Sequence, residues 1–417
     1  MSLRLLLCSL LVSGCLCSPQ MKGDAGEDAG LEEVDSGFDA GAADAGPIDA
    51  GLDAGVPDAG PEDPGDGGCR LVAQSLAWST GRPLAIELAD LNADGHPDII
   101  VATTNSLEVR LNDGLGHFGT QSQLGPLTPQ TLTLDDVDGD GRLDVISIDV
   151  AGRLVVLPGN GDGTFALRAA LDAGQAFFVP LEVALGDLDL DGRGEFVTLD
   201  VGGSVPELRT VRGGPAGGVP RAQTGSHRLA LADVNGDGLL EALVGNAQYG
   251  LAVHWGEGDG GFGAPLVFLG STSVNSLALR DVTGDGVADA ICATGFYDLT
   301  SGLILGGGVS VLPGTGTDAG FGAPITTASR DIIQAIVVAD IDRDGLEDAV
   351  ITRLAFDGGV EVLGGDAGAF QRIDRVRGGN GWAVAVDDLD GDGKLDVVVG
   401  SGAGSSGEVR VLIETCP

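Results

Sequence analysis

Seven copies of one acidic nine-residue pattern, spaced at a nearly regular interval, constrain this chain more than any other feature. The pattern reads D-x-(D/N)-x-D-G-x-x-(D/E) and opens at Asp90, Asp136, Asp187, Asp233, Asp281, Asp340 and Asp388. Successive openings lie 46, 51, 46, 48, 59 and 48 residues apart. Such a period marks a supersecondary unit that buries its apolar faces only by stacking on its neighbours. Each copy follows a short apolar run (84–88, 131–134, 181–185, 229–232, 276–279, 336–339 and 382–386) and precedes a second, such as 98–103, 144–148 and 396–400. A third run, clearest at Leu154-Val155-Val156-Leu157, leads into a Gly-rich turn such as Gly161-Asp162-Gly163-Thr164-Phe165. A fourth, less regular run completes the unit.

Four short strands in about 40–50 residues, repeated, is the pattern of a propeller blade. The expected fold is therefore all-β, a seven-bladed β-propeller of four-stranded blades. With 72 Gly in 417 residues and only 4% aromatics, the composition suits many short strands joined by tight turns. The period is too long for a β-helix and lacks the helical half of a leucine-rich repeat.

Clustered carboxylates at this spacing point to Ca²⁺, a hard cation that takes six to eight oxygens in tolerant geometry. Side chains at positions 1, 3, 5 and 9 and the main-chain carbonyl of position 7 can wrap one ion, and Gly at position 6 permits the turn. The candidate ligands are Asp90, Asn92, Asp94, His96 and Asp98 in the first loop, and Asp136, Asp138, Asp140, Arg142 and Asp144 in the second. The third offers Asp187, Asp189, Asp191, Arg193 and Glu195, and the fourth Asp233, Asn235, Asp237, Leu239 and Glu241. The fifth has Asp281, Thr283, Asp285, Val287 and Asp289, where Thr283 makes a weak or empty site. The sixth has Asp340, Asp342, Asp344, Leu346 and Asp348, and the seventh Asp388, Asp390, Asp392, Lys394 and Asp396. An EF-hand needs an acid at position 12, which here is Val101, Ser147, Thr198, Val244, Cys292, Ile351 and Val399. Asx-rich turns without metal would leave three or four carboxylates repelling one another.

The units resemble FG-GAP (VCBS) repeats, the family that includes the integrin α-chain propeller. Gly261-Phe262-Gly263-Ala264-Pro265 and Gly320-Phe321-Gly322-Ala323-Pro324 carry the family's Phe-Gly and Ala-Pro elements, while Phe118, Phe165 and Phe370 keep the Phe alone. The resemblance covers about residues 70–417.

The N-terminus is different material. Residues 1–14 read as an export signal, and Val12-Ser13-Gly14-Cys15 resembles the lipobox of a bacterial lipoprotein, which implies cleavage before Cys15 and a lipid on its sulfur. Residues 15–68 are then a lipidated start and an Asp-Ala-Gly-rich linker, too polar to bury a core. The propeller spans 69–417. Its last unit supplies the runs 382–386, 397–400 and 408–413, so its fourth strand is expected from 71–78, a 3+1 closure that leaves no open edge. Cys69 and Cys416 then stand where other blades have a hairpin, which predicts a Cys69–Cys416 disulfide in an exported protein. Cys292 reads as a small buried hydrophobe.

A formal charge of −40 opposes nucleic-acid binding, which needs a basic face. No H-E-x-x-H or G-x-S-x-G is present, and His96, His117, His227 and His254 form no catalytic set. The expectation is a monomeric, non-enzymatic module at the cell envelope, probing an extracellular protein or glycan, with calcium structural and the lipid its only membrane contact. The long fifth unit, with Phe296, Tyr297 and Leu303 in residues 295–308, is the candidate contact. A lectin-like propeller is the alternative, and a polysaccharide-acting enzyme a more distant one.

Overall fold

The computed structural model describes residues 70–119, 122–124, 129–149, 152–166, 180–200, 207–211, 228–246, 250–270, 272–298, 303–329, 331–354, 358–377 and 380–415. The lipobox cysteine, the linker, Cys69 and Cys416 lie outside them.

The repeat period translates into seven antiparallel sheets. Blade 1 runs Pro83–Ala89, Asp98–Thr103, Leu107–Arg110 and Ser122–Leu124. Blade 4 runs Leu229–Ala232, Glu241–Asn246, Gly250–His254 and Leu266–Phe268; blade 5 runs Val274–Arg280, Asp289–Asp298, Leu303–Leu312 and Ile325–Ser329. Blade 6 runs Ile332–Ala339, Asp348–Leu354, Gly359–Asp366 and Ala369–Arg377. Among the described residues blade 2 shows three strands (Thr133–Asp135, Asp144–Ile148, Leu154–Leu157), as does blade 3 (Pro180–Gly186, Glu195–Asp200, Glu207–Val211). In blade 7 the strands Gly381–Asp387, Asp396–Ala403 and Ser406–Thr415 are followed in hydrogen-bond order by the first strand of the domain, Arg70–Gly81. The ladder sets Arg70 opposite Thr415 and Gly81 opposite Ser406, with one register shift between Ala73 and Ala77.

Why the sheets form a ring follows from which faces are apolar. Strand 2 of a blade is buried on both faces, so Asp98–Thr103 is buried throughout and alternates its side chains between two neighbours. Ile99 and Val101 pack with Val398, Val409 and Val411 of blade 7, whereas Ile100 and Ala102 pack with Leu132, Leu134 and Val145 of blade 2. The buried apolar residues described fall into seven such clusters, each joining one blade to the next and the last returning to the first. The ring is closed by packing. Cys292, fully buried, belongs to the cluster between blades 4 and 5, and burial pushes its thiol far above the ordinary range.

Up-and-down order within each blade places the loop between strands 1 and 2 and the turn between strands 3 and 4 at one end of the sheet. All seven acidic loops therefore share one face with the Gly-Phe turns. The first strands of blades 1, 5, 6 and 7 each carry a register shift at the same repeat position, between Pro83/Ala85, Val274/Ser276, Ile333/Ala335 and Gly381/Ala383. A bulge recurring at one repeat position is a built feature of the strand and increases its local twist. The strand pair of blade 5 extends through Asp298 and Leu303 on the opposite face, and Gly307 and Gly308 sit there because a Cβ would lie 2.3 Å from Thr294 O and 2.5 Å from Thr327 O. The side chains of Phe296, Tyr297 and Leu303 lie outside the described residues.

Candidate metal centre

The loops share one hydrogen-bond scheme set by the repeated residue types. The Oδ2 of each position-1 Asp accepts the N–H of the position-6 Gly at 2.7–3.1 Å. The position-5 Asp accepts the N–H of position 7 at 2.8–3.0 Å. These bonds fold the loop so that its acids face inward. Position 6 has φ between 80° and 89° in all seven loops, a conformation that a Cβ disfavours.

Position 4 is also left-handed throughout, which the sequence pattern leaves unmarked. Gly139, Gly236, Gly284 and Gly391 occupy it in four loops, but Ala93, Leu190 and Arg343 do so at φ 61°, 59° and 62°. Leu190 is 63% exposed and has no packing to offset that conformation. Leu190→Gly is expected to stabilise the protein by about 0.5–1 kcal/mol in chemical denaturation; a loss of stability would contradict the strain.

The position-9 acid does more than ligate. Asp98, Asp144, Glu195, Glu241, Asp289, Asp348 and Asp396 open the second strand of their blades and are 0–5% exposed. One oxygen of each accepts the N–H of position 2 at 2.9–3.0 Å. In five blades the other oxygen accepts the N–H of the residue ending strand 3 or opening the turn beyond it: Asn112, Gly159, Gly314, Gly365 and Glu414, at 2.8–2.9 Å. The carboxylate thus pins loop, strand and turn together, leaving lone pairs on each oxygen for a cation.

Four loops bring three acids to a common point, with oxygens within 4.8 Å of one another: Asp136, Asp138 and Asp144; Asp187, Asp189 and Glu195; Asp340, Asp342 and Asp344; Asp388, Asp390 and Asp396. Loops one and four put Asn92 and Asn235 at position 3, whose amides donate to Asp94 and Asp237 at 2.8 and 3.0 Å. In the fifth loop the Thr283 N–H and hydroxyl both turn to Asp289, at 2.9 and 3.5 Å. Asp281, Asp285 and Asp289 form no such convergent group.

The electrostatics show what these clusters lack. Burial pushes the carboxyl of Asp98 up to about 6 and that of Asp396 up to about 7, with neighbouring loop acids adding to the push and main-chain N–H groups opposing it. Asp144, Glu195, Glu241 and Asp348 are raised for the same leading reason. In loop six, Asp340 Oδ1 is buried with no hydrogen-bond donor. An all-oxygen, strongly anionic donor set with an unsatisfied buried oxygen fits a hard divalent cation of Ca²⁺ type. With no cation bound, the folded state holds protons more tightly than the unfolded chain, whose Asp titrates near 4. Stability in chelator should therefore fall as pH rises from about 4 through 7 and level off above, a slope that saturating Ca²⁺ flattens. Thermal melts across pH with and without chelator check this.

Position 2 links each loop to the ring. Leu91, Val137, Leu188, Val234, Val282, Ile341 and Leu389 are 0–7% exposed, and each lies in the cluster between its own blade and another. Position 7, expected to offer only its carbonyl, also packs its side chain on the turn of its own blade. His96 covers Gly114, Arg142 covers Gly161, Leu239 covers Gly258 and Val287 covers Gly316. The turn phenylalanines Phe165, Phe321 and Phe370 are 4–6% exposed and wedge into the same inter-blade clusters. Position 2 was legible as the invariably apolar x after the opening Asp.

Comparison with known proteins agrees with this architecture. The FG-GAP-like repeat description matches residues 136–198 and 233–292, and the FG-GAP repeat description matches 380–412. The chain is an FG-GAP repeat propeller. Each of the three matched stretches of this FG-GAP propeller contains at least one acidic loop and the strand that follows it. Among solved structures, the BP39L lectin from Burkholderia pseudomallei is 16% identical, with a TM-score of 0.54 over 82% of this chain and 99% of that one. BBS1N, in a structure with ARL6DN, is 9% identical, with a TM-score of 0.51 over 84% of this chain and 98% of that one. At these identities the likeness is one of fold. No curated protein matches the FG-GAP propeller in sequence.

Proposed function

We propose that this FG-GAP propeller is a calcium-stabilised, non-enzymatic binding module, held at the cell envelope by a lipid on Cys15 and presented on its Asp-Ala-Gly linker. The observation that carries this reading is the burial of position 2 of every acidic loop in an inter-blade cluster. Acids committed to loops that hold the ring together serve the scaffold, and the turns around them are left to vary with a ligand. Ca²⁺ would be held by positions 1, 3, 5 and 9, most firmly in loops two, three, six and seven, where the acids converge. The ion supplies charge compensation there, and the chain's own N–H groups orient the ligands.

The partner is expected to be an extracellular protein. A sugar site of aromatic-platform type needs a free aromatic face, and the three tryptophans are engaged. The Arg110 guanidinium lies 4.4 Å from the Trp78 ring and that of Arg82 4.9 Å from Trp382, while Trp255 packs between blades 4 and 5. The deciding experiment is cross-linking of the full chain on intact cells in Ca²⁺ and in EDTA, beside a glycan array. Discrete protein partners recovered only in Ca²⁺ support the proposal. Glycan binding without a protein partner transfers the reading to a lectin, and turnover of a polysaccharide overturns it.

A further inference from the structure

At the junction of blades 7 and 1 one buried side chain is hydrogen-bonded to both neighbouring acidic loops. Asn112 lies two residues beyond strand 3 of blade 1, bridges to Phe118 and is 3% exposed. Its N–H donates to Asp98 Oδ1 at 2.8 Å, the buried position-9 acid of loop one. Its Nδ2 donates to Pro97 O of the same loop at 3.1 Å and to Leu389 O of loop seven at 2.8 Å, while its Oδ1 accepts Gly114 N–H at 3.1 Å. Leu389 N–H in turn donates to Asp396 Oδ2 at 3.0 Å, the position-9 acid of loop seven. A second tie runs from Gly116 N–H to Leu389 O at 3.0 Å. An unbroken hydrogen-bond path thus joins Asp98 to Asp396 through two buried residues. The residue matching Asn112 is Gly159, Gly256 and Gly314 in blades 2, 4 and 5, which have no side chain to make such a bridge.

We infer that Asn112 couples calcium binding at loop one (90–98) to calcium binding at loop seven (388–396), so that filling either loop raises the affinity of the other. The inference rests on the calcium reading above. An ion that fixes Asp98 fixes the Asn112 main chain, and the Asn112 amide then holds the Leu389 carbonyl and with it the Leu389 backbone, whose N–H orients Asp396 before its own ion arrives. Preordering by one ligand of groups a second ligand must order gives positive, reciprocal coupling. The effect falls at the seam where Arg70–Gly81 completes blade 7, so the paired loops brace the closure of the ring.

Hydrogen–deuterium exchange of the full chain across a Ca²⁺ titration reads each loop separately. In wild type, peptides over 90–98 and 388–396 should gain protection with coincident midpoints. Asn112→Ala should raise the 388–396 midpoint by about five-fold or more, a coupling of ordinary size, and leave 233–241 unmoved. Asp94→Asn weakens loop one while keeping Asn112 and its bonds, and it should shift the 388–396 midpoint upward as well. That second variant carries the test if Asn112→Ala fails to fold. An unchanged 388–396 midpoint in Asp94→Asn overturns the coupling while leaving calcium binding intact. Absence of calcium-dependent protection in every loop overturns the calcium reading itself.

Discussion

Chelation with EDTA should lower the melting temperature of the full chain by roughly 10–20 °C. A site held at a free ion concentration a hundred-fold above its Kd adds about 2.7 kcal/mol to stability. The four loops with converging acids would together contribute about 11 kcal/mol on that basis. In a domain of this size each kcal/mol moves the midpoint by about 2 °C or less. The loss should be cooperative, because position 2 of each loop is packed between blades: Leu389 with Ile86 and Ile99, and Leu91 with Leu132 and Leu134. Excess Ca²⁺ should restore the melt, and Mg²⁺ should restore less of it, since Mg²⁺ demands tighter octahedral geometry and sheds its water reluctantly. A melt indifferent to EDTA would remove calcium from the account.

The second large effect concerns the seam. Arg70 pairs with Thr415 and Leu71 with Glu414, so the described ladder stops one residue short of Cys69 on one strand and of Cys416 on the other. Under non-reducing conditions, peptide mapping should recover Cys69 joined to Cys416. Cys416→Ser should cost about 2–5 kcal/mol, the general cost of losing a native disulfide. Cys292 is fully buried between blades 4 and 5, where its reaction with an alkylating reagent should await global unfolding. A Cys69–Cys292 peptide would refute the pairing.

What the sequence made legible was whatever repeats. Seven openings from Asp90 to Asp388 expose the blade count, and the unbroken apolar character of runs such as 98–103 is that of a strand covered on both faces. The acids at positions 1, 3, 5 and 9 could be read because charge in an apolar frame has few uses. Three features were hidden, one for want of a constant residue and two because they depend on approach between distant segments. The left-handed backbone at position 4 carries no constant residue, so Ala93, Leu190 and Arg343 give no signal of it. The second bond of the position-9 acid comes from a turn some fifteen residues on, as Gly159 to Asp144 shows. The bridge from Asn112 to Leu389 links residues 277 positions apart in the sequence. Convergence was the other limit: four loops gather three acids, while Thr283 turns back on Asp289 in a fifth.

The pairing of Arg70–Gly81 with Ser406–Thr415 also has a consequence in time. The first strand of the domain to be synthesised has its partner among the last, so no intermediate on the way can be a finished ring. Until the final strand emerges, the outer edge of blade 7 and the flank of blade 1 stay open, which is the condition under which strands find wrong partners. Contacts this distant in sequence make folding slow. On the calcium reading proposed above, the slowest step therefore waits until both the ion and the strand Ser406–Thr415 are present. Refolding in Ca²⁺ should accordingly be limited by docking of the N-terminal strand, and a chain truncated before residue 406 should collapse without acquiring a cooperative melt.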